Sequence, residues 1–192
     1  MAPWYSKKTL CLFEVDLRQA LLPDCEARMA VDYEVLDAAA WASQPNTAHL
    51  TDRYLFQTRL ERGEDFWTAQ QDKTIVSYCW ATHEPVEIGE VHRRIKPRQG
   101  EIYLYDAFTF PDYRGNNLYP ALLHRILEHS RQQNLRRALI FVLSDNMASI
   151  RGVQKAGFQE FQRVTYCNIL GCRRYVYRPR LPSAAGVDLL PA

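Results

Sequence analysis

The sequence predicts an α/β (α+β) protein: a mixed, mostly antiparallel central sheet of six to seven strands flanked by about four helices. Three observations lead there. Residues 66–70 and 74–81 are β-rich runs joined by Gln71-Asp72-Lys73, a short turn that makes an antiparallel hairpin with a three-residue loop. Residues 138–143 (ALIFVL) form a continuous apolar run, as a strand covered on both faces requires. Between them, Glu101–Thr109 is a strand that passes through a polar turn into a helical pattern, so a crossover helix brings in parallel pairing.

In chain order, residues 9–15 alternate enough apolar side chains to be the first strand. Pro23-Asp24 suits the start of a helix, since Pro fits the first turn and Asp complements its positive end. Residues 27–42 are rich in Ala, Leu, Glu and Met, with Met29, Tyr33, Leu36 and Ala40 at helical spacing, and Gln44-Pro45-Asn46 ends the pattern. A second helix is expected over 50–62, with Thr51 or Asp52 near its start and Gly63 as C-cap. Residues 86–91 suit a short strand, and 96–100 a loop. A helix over 118–133 buries Leu118, Ala121, Leu122, Ile126 and the stem of Arg125, and Asn134 stops it. Residues 147–156 form a helix closed by Gly157. Residues 164–170 and 173–178 pair as a hairpin across Gly171-Cys172. The reading is a single domain over 1–178 and a flexible tail over 179–192.

Composition bounds the function. With 192 residues, 47% hydrophobic and 24% charged, the chain can bury a core without disulfides. A formal net charge of +2 gives no bulk attraction for nucleic acid or a membrane surface, and the pairs Arg93-Arg94, Arg136-Arg137 and Arg173-Arg174 are mostly solvated surface on this reading. Five cysteines without C-x-x-C spacing suit a reducing compartment, and neither they nor His83, His92, His124 and His129 form a metal-ligand grouping, so no metal is expected. His124 and Glu128, four apart, read as a surface pair. No signal-peptide core and no run of ~18 apolar residues is present, so a cytoplasmic protein without a membrane span is expected.

The stretch that carries chemistry is Tyr105 to Leu127. A strand ends at Phe110-Pro111, the turn Asp112-Tyr113-Arg114-Gly115-Asn116-Asn117 follows, and a helix begins at Leu118. Free backbone N–H groups at such a helix start, with an arginine beside them, suit an anion and above all a phosphate.

Together with two further signatures, this stretch resembles the GNAT superfamily of N-acetyltransferases over nearly all of residues 9–178. Arg114 stands at the first position of that family's cofactor loop, Q/R-x-x-G-x-G/A. Asn146 and Ser149 follow the apolar strand as in its N-x-x-S/A helix start, and Lys155-Ala156-Gly157-Phe158 is similar to its K-x-G-F ending. The glycine positions of the loop fall on Asn117, which tolerates a left-handed backbone, and on Tyr119, which keeps a ligand farther away than Gly does. Pro120 removes one N–H donor.

The resemblance implies acyl transfer from acetyl-CoA, or another acyl-CoA, to a primary amine by direct attack in a ternary complex. It implies that N–H groups of Gly115, Asn116, Asn117, Leu118 and Tyr119 cradle the pyrophosphate, with Arg114 adding charge or bracing the turn. Ala107, Phe108 and Thr109 would pair with the pantetheine arm as an added strand, and one of their N–H groups would face the oxyanion. Asn146 and Ser149 would reach the donor from the neighbouring helix. The amine needs a base. Glu101 is the candidate, because some family members carry a glutamate at a similar distance before the motif arginine. Asp106 is second, and by strand alternation it faces away from Glu101 unless a bulge intervenes. A tyrosine often serves the family as general acid on the helix after the asparagine, where this chain has Val153, so the acid is absent, supplied from elsewhere, with Tyr103, Tyr105 and Tyr166 as candidates, or replaced by water. Trp41, Trp67 and Trp80 belong to the core or line the acceptor cleft.

Two alternatives stay open: a long-chain or carrier-protein-bound donor, for which the arginine pairs are docking candidates, and a non-catalytic module that binds acyl-CoA or a protein. The acceptor is a small molecule or a peptide or protein amine, and homodimerisation is left open.

Overall fold

The computed structural model describes residues 5–45, 47, 50, 52–179 and 187–191. Among the described residues it has eleven strands and four α-helices: β1 (Tyr5–Asp16), β2 (Asp32–Leu36), α1 (Ala38–Ser43), α2 (Arg53–Glu61), β3 (Asp65–Gln71), β4 (Thr74–Thr82), β5 (Val86–Ile88), β6 (Arg93–Lys96), β7 (Glu101–Thr109), α3 (Leu118–Gln132), β8 (Arg137–Leu143), α4 (Met147–Lys155), β9 (Gln159–Ile169), β10 (Cys172–Pro179) and β11 (Asp188–Pro191). Eight strands form one sheet in the order β10-β9-β1-β8-β7-β4-β3-β2. Each pair in it is antiparallel except β7 and β8, which α3 joins. A second sheet orders β11-β6-β5. Among the described residues, no helix is long and apolar enough to cross a membrane.

The apolar run in β8 reads as expected, because both of its faces are covered. Ala138 and Ile140 pack with α3, while Leu139 packs on the other side with Tyr103 and Phe161. Helix α3 lays Leu122, Leu123, Ile126 and Leu127 fully buried on the sheet. Each such side chain contributes about 1.5–3 kcal/mol relative to exposure. Asn134, with φ 60°, ends the helix with a left-handed turn.

Several expectations are corrected. The main sheet has eight strands, not six to seven. The helix expected over 27–42 is absent except for α1, and Pro23-Asp24 starts none. Residues 32–36 instead pair edge-on with β3, where Tyr33 and Val35 are β-formers whose alternation outweighs the helical spacing. The cap of α1 is Asp37, which accepts the Ala40 N–H at 2.7 Å. Helix α2 begins at Arg53, capped by Asp52 through the Leu55 N–H at 3.0 Å, and Gly63 follows with φ 77°. The other expected cap, Thr51, lies outside the described residues.

Both hairpin turns are two-residue loops with positive φ at each position, Asp72-Lys73 and Leu170-Gly171. That geometry matches the strand twist and needs no third residue. The strand expected over 86–91 stops at Ile88, and β6 ends where the loop was expected to begin. The tail expected to be loose pairs residues 188–191 with β6, tied by a two-pronged Arg98–Asp188 ion pair at 2.7 and 3.1 Å. The expected His124–Glu128 pair forms at 3.5 Å with His124 itself buried, and Arg137, read as surface, is buried at 7% exposure, where it pairs with Glu14 and Glu101 and so cannot serve in docking.

Candidate active site

Strands β7 and β8 are in parallel register from Glu101↔Arg137 to Leu104↔Ile140, and their pairing stops there. Beyond that point β7 carries an irregularity against β4. Tyr105 pairs with Trp80 and Phe108 with Tyr78, so Asp106 and Ala107 together oppose Cys79. Asp106 has φ 46°, the left-handed backbone of a bulge. After Thr109, a single 3-10 turn at Pro111–Tyr113 delivers the chain to Gly115, with φ 83°, and to Asn117, with φ 60°, the N-cap of α3.

A cavity of about 740 Å³ opens here, walled by the end of β7, the turn, the first turn of α3 and one face of α4. Ten residues expected to hold the donor border it: Ala107, Phe108, Thr109, Arg114, Gly115, Asn117, Leu118, Tyr119, Asn146 and Ser149. Asn116 does not. Its side chain donates to Tyr113 O at 3.1 Å, and its own carbonyl accepts the Arg28 N–H at 2.8 Å, so it braces the turn from behind.

Arg28, Tyr113, Pro120, Ala148, Arg151, Gly152 and Lys155 also line the cavity. The α4 members had a signal in the sequence: 148, 151, 152 and 155 are one helical face. Arg28 had none, because the loop that carries it reaches the site only through tertiary contact.

The cavity suits a polyanion. Among the described residues, four basic side chains line it, Arg28, Arg114, Arg151 and Lys155, and no carboxylate does. Arg114 donates through Nε to Thr109 O at 3.1 Å and lies 5.6 Å from the Phe108 ring centre, which braces the turn while leaving charge at the rim. Lys155 Nζ donates to Asn117 Oδ1 at 2.6 Å, tying α4 to the N-cap of α3. The N–H groups of residues 115–119 make no hydrogen bond among the described residues. Free donors at a helix N-terminus favour an anion. Asn146 caps α4 through the Ser149 N–H at 3.1 Å.

Tyr119 fits where the cofactor loop of the resemblance has a small residue because Gly152 stands opposite. A Cβ at Gly152 would lie 2.5 Å from Tyr119 Cδ1. Burial pushes the Tyr119 phenol well above the usual tyrosine range.

Glu101 is not brought to this cavity. It is 2% exposed, its Oε1 pairs with Arg137 Nη1 at 3.1 Å, and its Oε2 accepts the Arg98 N–H at 2.9 Å. Both oxygens are engaged at the closed end of the β7–β8 pair, the opposite end of the strand from the turn. The phenols of Tyr103, Tyr105 and Tyr166 also lie outside the cavity lining, and Val153 is core. Tyr103 stacks on Tyr105 with ring centres 5.6 Å apart, and Tyr105 donates its hydroxyl to Glu64. Trp41 and Trp80 join Phe56 and Phe66 in an aromatic cluster beneath α1 and α2, while Trp67 packs on the α3 side.

Residues 31–158 match the family model described as acetyltransferase (GNAT) family. The mycothiol acetyltransferase of Streptomyces coelicolor is 30% identical over 126 residues, 64% of this chain and 37% of that protein. That of Streptomyces griseus is 27% identical over 157 residues, 77% of this chain and 47% of that protein. The chain thus spans less than half the length of these relatives. A Bacillus subtilis protein named uncharacterized N-acetyltransferase YycN is 26% identical over 133 residues, 66% of this chain and 78% of its own length. Among solved structures, a GCN5-related N-acetyltransferase from Sphaerobacter thermophilus superposes with a TM-score of 0.58 at 14% identity, covering 89% of this chain and 53% of that one. A GCN5-related N-acetyltransferase-like protein from Streptococcus suis gives 0.55 at 12% identity, covering 92% and 64%. At these identities the structural likeness shows the fold.

Proposed function

We propose, since the chain belongs to the acetyltransferase (GNAT) family and is an acyltransferase enzyme, that it transfers an acetyl or other acyl group from acyl-CoA to a primary amine, both substrates bound together. The observation that carries this reading is the cavity at the parting of β7 and β8, basic at its rim and free of carboxylates in its lining.

On this reading the pyrophosphate of the donor lies against the free N–H groups of Gly115, Asn117, Leu118 and Tyr119, with Arg114, Arg151 and Lys155 supplying charge. Pro120 offers no N–H, so the basic side chains carry more of the phosphate recognition. The pantetheine arm extends along Ala107, Phe108 and Thr109 as an added strand. That places the thioester toward the bulge, where a backbone N–H stabilises the tetrahedral oxyanion. Asn146 and Ser149, which both border the cavity, hold α4 against the donor.

The test is release of free CoA thiol from acetyl-CoA, octanoyl-CoA and an acyl carrier protein thioester over a panel of primary amines. The reading expects turnover that needs the amine and favours a CoA donor. Turnover with the carrier thioester alone would move the assignment to a carrier-bound donor. No turnover with any donor would count against acyl transfer at this cavity.

A further inference from the structure

We infer that Asp106 receives the ammonium group of the acceptor, with Arg59 as the residue that positions it; this rests on the acyl-transfer reading of the adjoining cavity.

Alternation along β7 would send Asp106 to the α3 side, among apolar residues. The bulge prevents that. Its left-handed backbone turns the Asp106 carboxylate onto the same side as Tyr105, facing α2, while the next residue, Ala107, borders the donor cavity. One peptide unit therefore separates a wall of the donor cavity from a carboxylate on the other face of the sheet. A non-glycine residue in this backbone region within a strand is costly, and such outliers concentrate where geometry serves a site.

The carboxylate is held and still accessible. Arg59 Nη1 pairs with Asp106 Oδ2 at 2.5 Å, with side chains 14% and 43% exposed. The guanidinium itself is wedged between two rings, its centre 5.1 Å from that of Trp80 and 4.9 Å from that of Tyr105. Arg59 is thus fixed on Oδ2, and Oδ1 has no hydrogen-bond partner among the described residues. Buried Glu64 takes the Tyr105 hydroxyl on the same side, so the group around that ring has two carboxylates against one guanidinium. An incoming cation meets a net negative site bounded by aromatic faces, the environment that a primary ammonium prefers.

The chemistry balances. The ammonium gives one proton through Asp106 to water. The freed lone pair forms the C–N bond as the C–S bond of the thioester breaks, and the second proton leaving nitrogen ends on the thiolate.

The experiment compares wild type, Asp106→Asn and Arg59→Met with acetyl-CoA over phenethylamine, putrescine, glucosamine and Nα-acetyl-lysine. Asn accepts the left-handed backbone as well as Asp does, so the bulge and the fold survive the first variant. For the amine that wild type uses best, Asp106→Asn should lower kcat/KM about a hundredfold. The KM for acetyl-CoA should stay within about twofold, and Arg59→Met should keep at least about a tenth of the wild-type value. Asp106→Asn at more than about half of wild type, beside an active wild type, overturns this inference and leaves acyl transfer standing. Equal losses in both variants with a raised donor KM overturn it too, because they mark a structural ion pair. A wild type that releases no CoA with any amine overturns the acyl-transfer reading and this inference with it.

Discussion

The ring of Tyr119 in α3 lies against Gly152 in α4 so closely that a Cβ on the glycine would stand 2.5 Å from Cδ1 and 2.8 Å from Cε1. A bulky residue at the donor end of one helix is thus matched by a gap in the other. Gly152→Ala should destabilise the protein by about 1–3 kcal/mol through overpacking and weaken CoA binding. In a Tyr119→Ala background the same substitution should cost almost nothing. Urea midpoints of the four proteins measure the coupling, and additive effects would show that the two residues do not share the space.

Glu101 carries a structural role in this account. Its carboxylate pairs with buried Arg137 and accepts the Arg98 N–H. Glu101→Gln should cost about 1–3 kcal/mol of stability, because two buried hydrogen bonds lose their charged acceptor while Glu14 still pairs with Arg137. Turnover per folded molecule should change by less than about twofold. A large fall in kcat with an unchanged unfolding midpoint would return Glu101 to catalysis.

Asn117 holds φ 60° at the start of α3, donates to Glu26 O at 2.6 Å and accepts Lys155 Nζ at 2.6 Å. Asn117→Ala should lose about 1–2 kcal/mol, since alanine resists the left-handed region. Asn117→Gly keeps the turn and should be the milder of the two in stability, although both release Lys155. Thermal midpoints of the pair separate backbone strain from lost hydrogen bonds.

Alkaline pH should unfold the protein in a defined window. Burial raises the phenols of Tyr78, Tyr103, Tyr105 and Tyr119, with Tyr78 pushed up to about 12. Each phenol therefore holds its proton more tightly in the folded state than in the unfolded one. This stabilisation is complete below about pH 10, where free tyrosine ionises, and is lost as pH rises toward the folded values. Urea midpoints should fall steeply from pH 10 to pH 12, with phenolate absorbance at 295 nm appearing as the protein unfolds. Full phenolate absorbance before unfolding would contradict the burial of these rings.

The parts of the fold legible in the sequence are those governed by local pattern. The β3–β4 hairpin, the apolar run of β8, the α3 and α4 helices and the polar turn ahead of α3 all carry their own signals, and the ten expected residues that border the cavity came from the family resemblance anchored on that turn and on the start of α4. What stayed illegible depends on partners distant in sequence. Residues 32–36 are a strand only because β3 is there to pair with them, and β11 exists only against β6. Glu101, the candidate base on the family resemblance, is buried because Arg137 lies beside it in parallel register. The face taken by Asp106 follows from a bulge that no residue-type rule signals, since neither Gly nor Pro marks it.

The most direct test is a calorimetric titration of CoA into the wild type, Arg114→Ala and Lys155→Glu. The account predicts one CoA per chain for the wild type and a loss of affinity of at least about tenfold in Lys155→Glu, with a smaller loss in Arg114→Ala, because both basic side chains line the cavity. No binding by the wild type, or equal affinity in all three proteins, would contradict the assignment of this cavity to an acyl-CoA donor.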